Sequence, residues 1–115
     1  MIAIINTDGQ MKISEIQKEC ISGKWIPLLI YKINNKKFIP VFNLTDIARN
    51  FIKRNLPKSW THGCVFLADT DIEKIIKTGL EIQPFEFPRK INENPDIKFD
   101  FEIHEFLEEP DFTCA

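Results

Sequence analysis

The sequence predicts one α+β domain with a single sheet of about six strands, mixed or mainly antiparallel, and two to three short helices packed on it. Three observations support this fold class. The chain has 115 residues, which is the usual size of one domain. Several short apolar runs are rich in β-branched and aromatic residues and end at turn residues, as strands do. Two segments between these runs have the apolar spacing of amphipathic helices.

Composition and length agree with a folded protein. Apolar residues make up 43% of the chain and charged residues 28%, as in ordinary globular domains. A chain of this size buries roughly 60 to 70% of its unfolded surface, enough for a core without disulfides. Ten Phe residues predict a core filled with aromatic rings. We divide the chain into a globular domain over residues 1–104 and an acidic C-terminal tail of that domain over residues 105–115.

The first third of the chain predicts a strand, then a segment that fits either a helix or a hairpin strand, and then a hairpin. Met1–Ile5 is an apolar run followed by a turn at residues 7–9. Residues 13–21 fit a short helix that is capped at Ser14, and the alternative is a hairpin through Asp8 and Gly9 into a strand at residues 11–13. Residues 25–31 and 38–42 form a hairpin through Asn34 and Asn35, because Asn tolerates positive φ. Pro27 and Pro40 require a sheet edge, a strand start or a bulge.

Two helices follow. Asn43 caps the first, whose apolar residues recur at helical spacing until Pro57 ends it. Thr70 and Glu73 form a capping box for the second helix, and Gly79 stops it.

Three further strands are predicted around these helices. Cys64–Ala68 has the composition of a fully buried strand, and residues 80–87 form a strand that Pro84 interrupts. Residues 97–104 alternate between apolar and polar side chains, which predicts a strand with one wet face. That wet face carries Lys98, Asp100, Glu102 and His104.

No motif for catalysis, a cofactor or a metal stands out. The four glycines lie more than ten residues apart, which excludes the glycine-rich phosphate loops. His62 and Cys64 are two residues apart on a predicted strand, so His62 could activate the Cys64 thiol. We favour Cys64 as a small core residue. His104 with Glu102 and Asp100 could hold a divalent ion, but a solvated strand face is the simpler interpretation.

The chain ends and cysteines favour a cytosolic protein. The N-terminus lacks the basic segment and long apolar run of a signal peptide. No stretch approaches the roughly 20 apolar residues that span a bilayer. Cys20, Cys64 and Cys114 are odd in number and widely spaced, which favours reduced thiols over a disulfide framework or a zinc site.

Charge divides sharply along the chain. Residues 1–92 carry fourteen Lys and Arg against nine acids, whereas residues 93–115 carry one Lys against eight acids. Acids steer a basic partner, and aromatic anchors supply affinity. We therefore expect a small protein-binding factor of the inhibitor or immunity type, not an enzyme. Its acidic end would comprise Asp100, Glu102, His104, Glu105, Phe106, Glu108, Glu109, Asp111 and Phe112.

The alternative is a nucleic-acid or polyanion site on the basic part of the chain. Basic residues beside an aromatic ring can hold phosphates and stack a base. The candidates are Lys36, Lys37, Arg49, Lys53, Arg54, Lys58 and Trp60. A third hypothesis is an enzyme that depends on Cys64.

Overall fold

The computed structural model describes residues 1–6, 25–59, 62–105 and 112–114. The strands within these residues are β1 Ile2–Asn6, β2 Trp25–Ile33, β3 Lys36–Phe42, β4 His62–Phe66, β5 Glu81–Phe85, β6 Ile97–Glu105 and β7 Phe112–Cys114. The helices are α1 Thr45–Asn55 and α2 Asp69–Lys77. The helix predicted for residues 13–21 and the alternative strand at residues 11–13 lie outside the described residues.

The described strands form one mixed sheet, which confirms the predicted fold class. Their order is β5-β3-β2-β1-β4-β7, with β6 paired to β2. Only β3 and β5 are parallel among these neighbours. Strand β1 contacts both arms of the β2–β3 hairpin, because Ile5 lies opposite Leu28 and Ile2 lies opposite Phe42. It therefore crosses the open end of the hairpin.

The two described helices cover opposite faces of the sheet. Helix α1 packs Ala48 and Phe51 into the same cluster as Ile4 of β1. Helix α2 packs Ile75 into the other cluster, together with Ile5 of β1. Strand β1 is apolar at successive positions because both of its faces are buried, as in other central strands.

Rings fill the core on the α1 side, as the phenylalanine content predicts. Phe42, Phe51 and Phe85 are buried, and their ring centroids lie 5.1 to 5.7 Å apart. Offset and edge-on ring pairs at such distances add about 0.5–1.5 kcal/mol beyond the area they bury. Phe99 of β6 extends the cluster at 6.1 Å from Phe51. The three central rings join α1 to β3 and β5.

The hairpin and its prolines agree with the sequence analysis. Asn34 has a φ of 55°, the left-handed conformation that the turn requires. Pro27 is the third residue of β2, near the strand start. Pro40 lies between Phe38, where the β2 pairing ends, and Phe42, where the β1 pairing begins. Among the described strands, Pro40 therefore has no partner on β2 or β1, and on its other side it lies opposite Gln83 of β5.

Both helices begin differently from the prediction and end as predicted. The N-cap residues are Leu44 and Ala68, and neither makes a side-chain cap bond, so the predicted caps at Asn43 and Thr70 are wrong. The apolar caps follow from the strands that precede them, which leave extended backbone at these positions. Helix α1 ends at extended Leu56, directly before a proline, and a glycine with a φ of 94° follows α2.

Two strand boundaries also differ. Strand β4 begins two residues before the predicted Cys64 and ends at Phe66, whose side chain is exposed. The prediction that residues 64–68 form a fully buried strand was therefore wrong at Phe66. Strand β6 includes Glu105, so the boundary drawn between domain and tail falls within a strand. Neither α1 nor α2 has the length and apolar character to cross a bilayer.

Candidate functional site

The acids of β6 form ion pairs with lysines of the domain itself. The nitrogen–oxygen distances are 3.6 Å for Lys32 and Asp100, 3.3 Å for Lys37 and Glu102, and 3.5 Å for Lys74 and Glu105. Lys74 also donates a hydrogen bond to the Glu105 carbonyl at 3.1 Å. Lys32 lies on β2, which pairs with β6, Lys37 reaches across from β3 on the other side of β2, and Lys74 of α2 contacts the end of β6. The described part of the acidic end is therefore largely neutralised.

His104 is buried, so its predicted place on the wet face of β6 is wrong. Its Nε2 lies 3.0 Å from Oε1 of Glu102. Burial lowers the pKa of His104, Glu102 opposes that shift, and Lys37 and Lys74 reinforce it. The alternation of β6 changes near its end because Ile103 is exposed where the pattern placed it inside. A neutral, buried imidazole makes no charged contact with a partner.

The divalent-ion site considered for β6 is not supported. No group of three His, Cys, Asp or Glu side chains is arranged to hold a metal within the residues that the structure describes. Asp100 and Glu102 are instead held by lysines, and a bound cation would have to displace them.

The rest of the predicted acidic end is only partly described. Phe106, Glu108, Glu109 and Asp111 lie outside the described residues. Phe112 begins β7, where its backbone lies opposite Val65 of β4. Residues 112–114 thus form the strand next to β4 in the sheet.

The predicted basic residues divide between two elements. Lys36 and Lys37 begin β3, and Lys37 is held by Glu102. Lys53 and Arg54 occupy the last turn of α1, where positive charge complements the helix dipole. Lys58 follows the helix and is exposed.

Arg49 and Trp60 complete the predicted basic set. Nη1 of Arg49 lies 3.9 Å from Oδ1 of Asp46, one turn away on α1. Trp60 lies outside the described residues. Lys53, Arg54 and Lys58 are therefore the exposed predicted cations at or just after the end of α1.

Cys64 and His62 lie in β4 and are both buried. Burial raises the pKa of the Cys64 thiol, and Arg49 only partly opposes this shift. The His62 ring packs 5.9 Å from the ring of Phe101. A protonated, buried thiol is a weak nucleophile. The geometry therefore favours Cys64 as a core residue.

The structure shows one surface that the sequence analysis did not identify. The large apolar residues Leu44, Phe66 and Phe87 are 58%, 62% and 74% exposed. Large side chains of this kind are usually buried, and a group of them on a surface marks an interaction site. We refer to these three residues as the apolar end.

Sheet register places the apolar end at one end of the sheet. Cα pairing links Phe85 to Phe42, Phe42 to Ile2, and Ile2 to Phe66 in one row across four strands. Leu44 comes two residues after Phe42, and Phe87 comes two residues after Phe85. Neighbouring strands lie about 4.8 Å apart, so the row measures roughly 14 Å.

An acid follows or precedes each apolar side chain of this end. Asp46 and Asp69 lie in the first turns of α1 and α2, two residues after Leu44 and three after Phe66. Glu86 directly precedes Phe87, and all three acids are exposed. The apolar end therefore has an acidic border. For Leu44 and Phe66 the sequence carries a signal: an apolar residue at or just after a strand end is followed by an acid in the first helical turn, and no polar residue caps the helix.

Comparison with protein-family models, with curated proteins and with solved structures found no match to this chain. The function proposed below therefore rests on the chemistry of the surface. The apolar end has features of an interaction site, because its large exposed side chains have exposed acids beside them.

Proposed function

We propose that the protein is a small protein-binding factor of the inhibitor or immunity type, whose partner has a basic surface. The observation that carries this proposal is the exposure of Leu44, Phe66 and Phe87 at one end of the sheet. Aromatic side chains at the centre of an interface supply most of the binding energy. Phe66 and Phe87 are the anchors in this proposal.

The acidic border specifies the charge of the partner. Asp46 has a side chain that is 94% exposed, and Asp69 and Glu86 are exposed at the same end. Complementary charge around an apolar centre speeds association and rejects partners of the wrong sign. A partner with Lys and Arg around an apolar depression fits this arrangement.

Strand β6 contributes a second acidic contact in this proposal. The Asp100 and Glu102 pairs with lysine are at the surface, and exposed ion pairs contribute only about 0–1 kcal/mol. An arginine of the partner can therefore replace Lys32 or Lys37 at small cost.

The proposal is tested by capture of partners from the native cell with matched variants of the full chain. A partner that binds the wild type is purified and its affinity is measured. We expect Phe66→Ser with Phe87→Ser to weaken it at least about tenfold, since anchor residues each contribute about 2 kcal/mol or more. Asp46→Asn with Asp69→Asn should slow association and reduce its salt dependence.

The control replaces Lys53 and Arg54 by Gln and should leave the affinity unchanged. Phe66 and Phe87 are exposed, so their replacement should leave the unfolding midpoint nearly unchanged. Equal affinity of the Phe66→Ser, Phe87→Ser variant and the wild type would overturn the proposal. Self-association that this variant abolishes would also overturn it, by showing that a second copy occupies the apolar end.

A second candidate function is polyanion binding at the end of α1. Lys53, Arg54 and Lys58 are exposed, and no ion pair joins them to other described residues. Phosphate contacts by such residues give affinity that falls steeply with salt. Titration of short single-stranded RNA at low salt tests this candidate. Binding that Lys53→Gln with Arg54→Gln does not weaken would exclude it.

A further inference from the structure

A cleft of about 380 Å³ lies on the α1 side of the sheet, and none of the three residues of the apolar end lines it. Its floor contains Tyr31 of β2 and Phe85 of β5, and its wall is the connection between β5 and β6. This volume is in the lower part of the range of about 300–1,000 Å³ for small-molecule sites. The cleft is large enough for a ring or a short chain with one polar group.

The wall of the cleft is held in place by one buried side chain. Asn55 Nδ2 donates to the Arg89 carbonyl at 2.9 Å, and the Ile91 amide donates to Asn55 Oδ1 at 2.6 Å. The Asn92 amide donates to the same oxygen at 3.2 Å. Irregular backbone that is fixed in this way presents its side chains in a defined position before any ligand arrives. Low ordering cost is the main advantage of such a site.

The polar groups of the cleft are mostly hydrogen-bond donors. Arg89 and Lys90 bring two positive charges, and the amide side chains of Gln83 and Asn94 also line it. The one acid of its lining, Glu93, lies 3.7 Å from Lys90 and is therefore partly neutralised. No ion pair joins Arg89 to another residue in the described ranges. The excess charge in the cleft is positive.

Tyr31 adds a neutral donor at the floor. Burial raises the pKa of its phenol to about 12, so the hydroxyl keeps its proton at neutral pH. A neutral phenol can donate to an anion, whereas a phenolate would repel it. Beside it, Ile33, Phe85 and Ile97 form an apolar lining that suits a hydrocarbon group.

We propose that this cleft binds a small organic carboxylate in which an apolar ring or chain carries one carboxyl group. Arg89 holds the carboxylate with two parallel hydrogen bonds, the geometry for which a guanidinium is suited. Lys90 and the Tyr31 hydroxyl lie at the same cleft, and the hydrocarbon part of the ligand contacts Phe85 and Ile97. The residues of this site do not include Leu44, Phe66 or Phe87, so variants of the two sites test the two proposals independently.

The test compares two probes that share a phenyl ring and a four-carbon chain, 4-phenylbutyrate with a terminal carboxylate and 4-phenylbutanol with a neutral hydroxyl. Each is titrated into the full chain, and amide chemical shifts are followed by NMR. We expect the carboxylate to bind at least about tenfold more tightly than the alcohol, since a charge-assisted pair with Arg contributes about 1.5–3 kcal/mol. The largest shifts should occur at Arg89, Ile91 and Asn94.

Variants assign the effect to the cleft. Arg89→Gln should remove the preference for the carboxylate, and Tyr31→Phe should weaken binding about threefold to tenfold, the loss of one hydrogen bond. Arg54→Gln, an exposed arginine on α1, is the matched control and should bind like the wild type. If Arg89→Gln does not fold, Arg89→Lys keeps the charge, loses the paired geometry and should bind more weakly than the wild type.

Three results would overturn the proposal. The first is equal affinity for the carboxylate and the alcohol. The second is unchanged binding in both Arg89 variants. The third is a set of shifts centred on Leu44 and Phe66, which would move the probe to the apolar end.

Discussion

Asn55 shows how one polar side chain can position a loop that has no secondary structure of its own. It is buried at the last position of α1, and its amide group bonds to the backbone of three loop residues. Buried polar groups that lose their partners cost about 1–3 kcal/mol each. We expect Asn55→Ala to lower the free energy of unfolding by about 2–4 kcal/mol, measured by urea denaturation.

The control for Asn55 is its neighbour in the same network. Asn92→Ala removes only the long, part-buried side-chain bond of 3.4 Å to the Asn55 carbonyl, so its effect should stay below about 1 kcal/mol. Equal stability losses for the two variants would show that the loop is not held chiefly by Asn55.

Tyr31 is the only tyrosine of the chain, so its ionisation can be followed directly. Burial raises its pKa from 10.0 to about 12, with Arg89 opposing the shift. Between these pH values the unfolded chain loses the phenol proton and the folded chain keeps it, so stability falls as pH rises. The near-ultraviolet absorbance of tyrosinate should therefore develop near pH 12 in the folded protein.

The matched variant for this titration is Tyr31→Phe. It should lack the part of the stability loss between pH 10 and about 12 that belongs to the phenol, of the order of 2 kcal/mol. Tyrosinate absorbance that develops near pH 10 in the native protein would contradict the buried position of the ring.

His104 couples folding to acid. Its pKa is lowered by burial, and in the unfolded chain the imidazole titrates near the ordinary value of 6.5. The unfolded state therefore takes up a proton first as pH falls through 6.5, and stability decreases there. We expect His104→Gln to reduce this decrease in denaturation curves recorded at successive pH values. An NMR titration that gives His104 a pKa above 6.5 would contradict the assignment.

The end of α2 depends on a conformation that favours glycine. Gly79 has a φ of 94°, and a Cβ placed there meets no atom within 4 Å. A substitution is therefore penalised by backbone conformation and not by steric overlap. We expect Gly79→Ala to cost about 1 kcal/mol in urea denaturation, and Gly79→Asn to cost less, because Asn tolerates positive φ better than Ala does. Equal costs would argue against this explanation.

The ion pairs of β6 link different strands of the sheet through their side chains. Lys37 of β3 reaches Glu102 of β6, although β2 lies between their strands. The pair is at the surface, so a double-mutant cycle of Lys37→Ala and Glu102→Ala should give a coupling below about 1 kcal/mol. That coupling should decrease as salt is added. A large coupling that salt does not change would indicate a desolvated pair.

At the scale of the molecule, the charge split of the sequence is partly removed by folding. The acidic residues of β6 follow a basic segment in the chain, and the sheet brings them beside Lys32, Lys37 and Lys74. The acidic and basic residues are therefore closer together in the folded protein than their separation along the chain suggested. The acidic border that remains exposed on the described surface comes from helix N-termini and from Glu86, in the part of the chain that counted as basic.

Local chemistry explains which structural features could be predicted. The turn at Asn34, the stops before Pro57 and at Gly79, and the central strand β1 each follow from the conformational or apolar preference of adjacent residues. The helix starts could not be predicted from capping residues. They depend on where the preceding strand leaves the sheet, which is set by pairing with distant strands.

The sequence by itself determined the α+β class, the hairpin, both described helices and an aromatic core, because periodicity and turn chemistry are local. Only the tertiary structure decided that His104 is buried, that the acids of β6 are paired, and that Leu44, Phe66 and Phe87 meet at one end. The physical reason is strand register. It joins residues that are far apart in the chain, and no local preference specifies which side chains become neighbours or remain exposed.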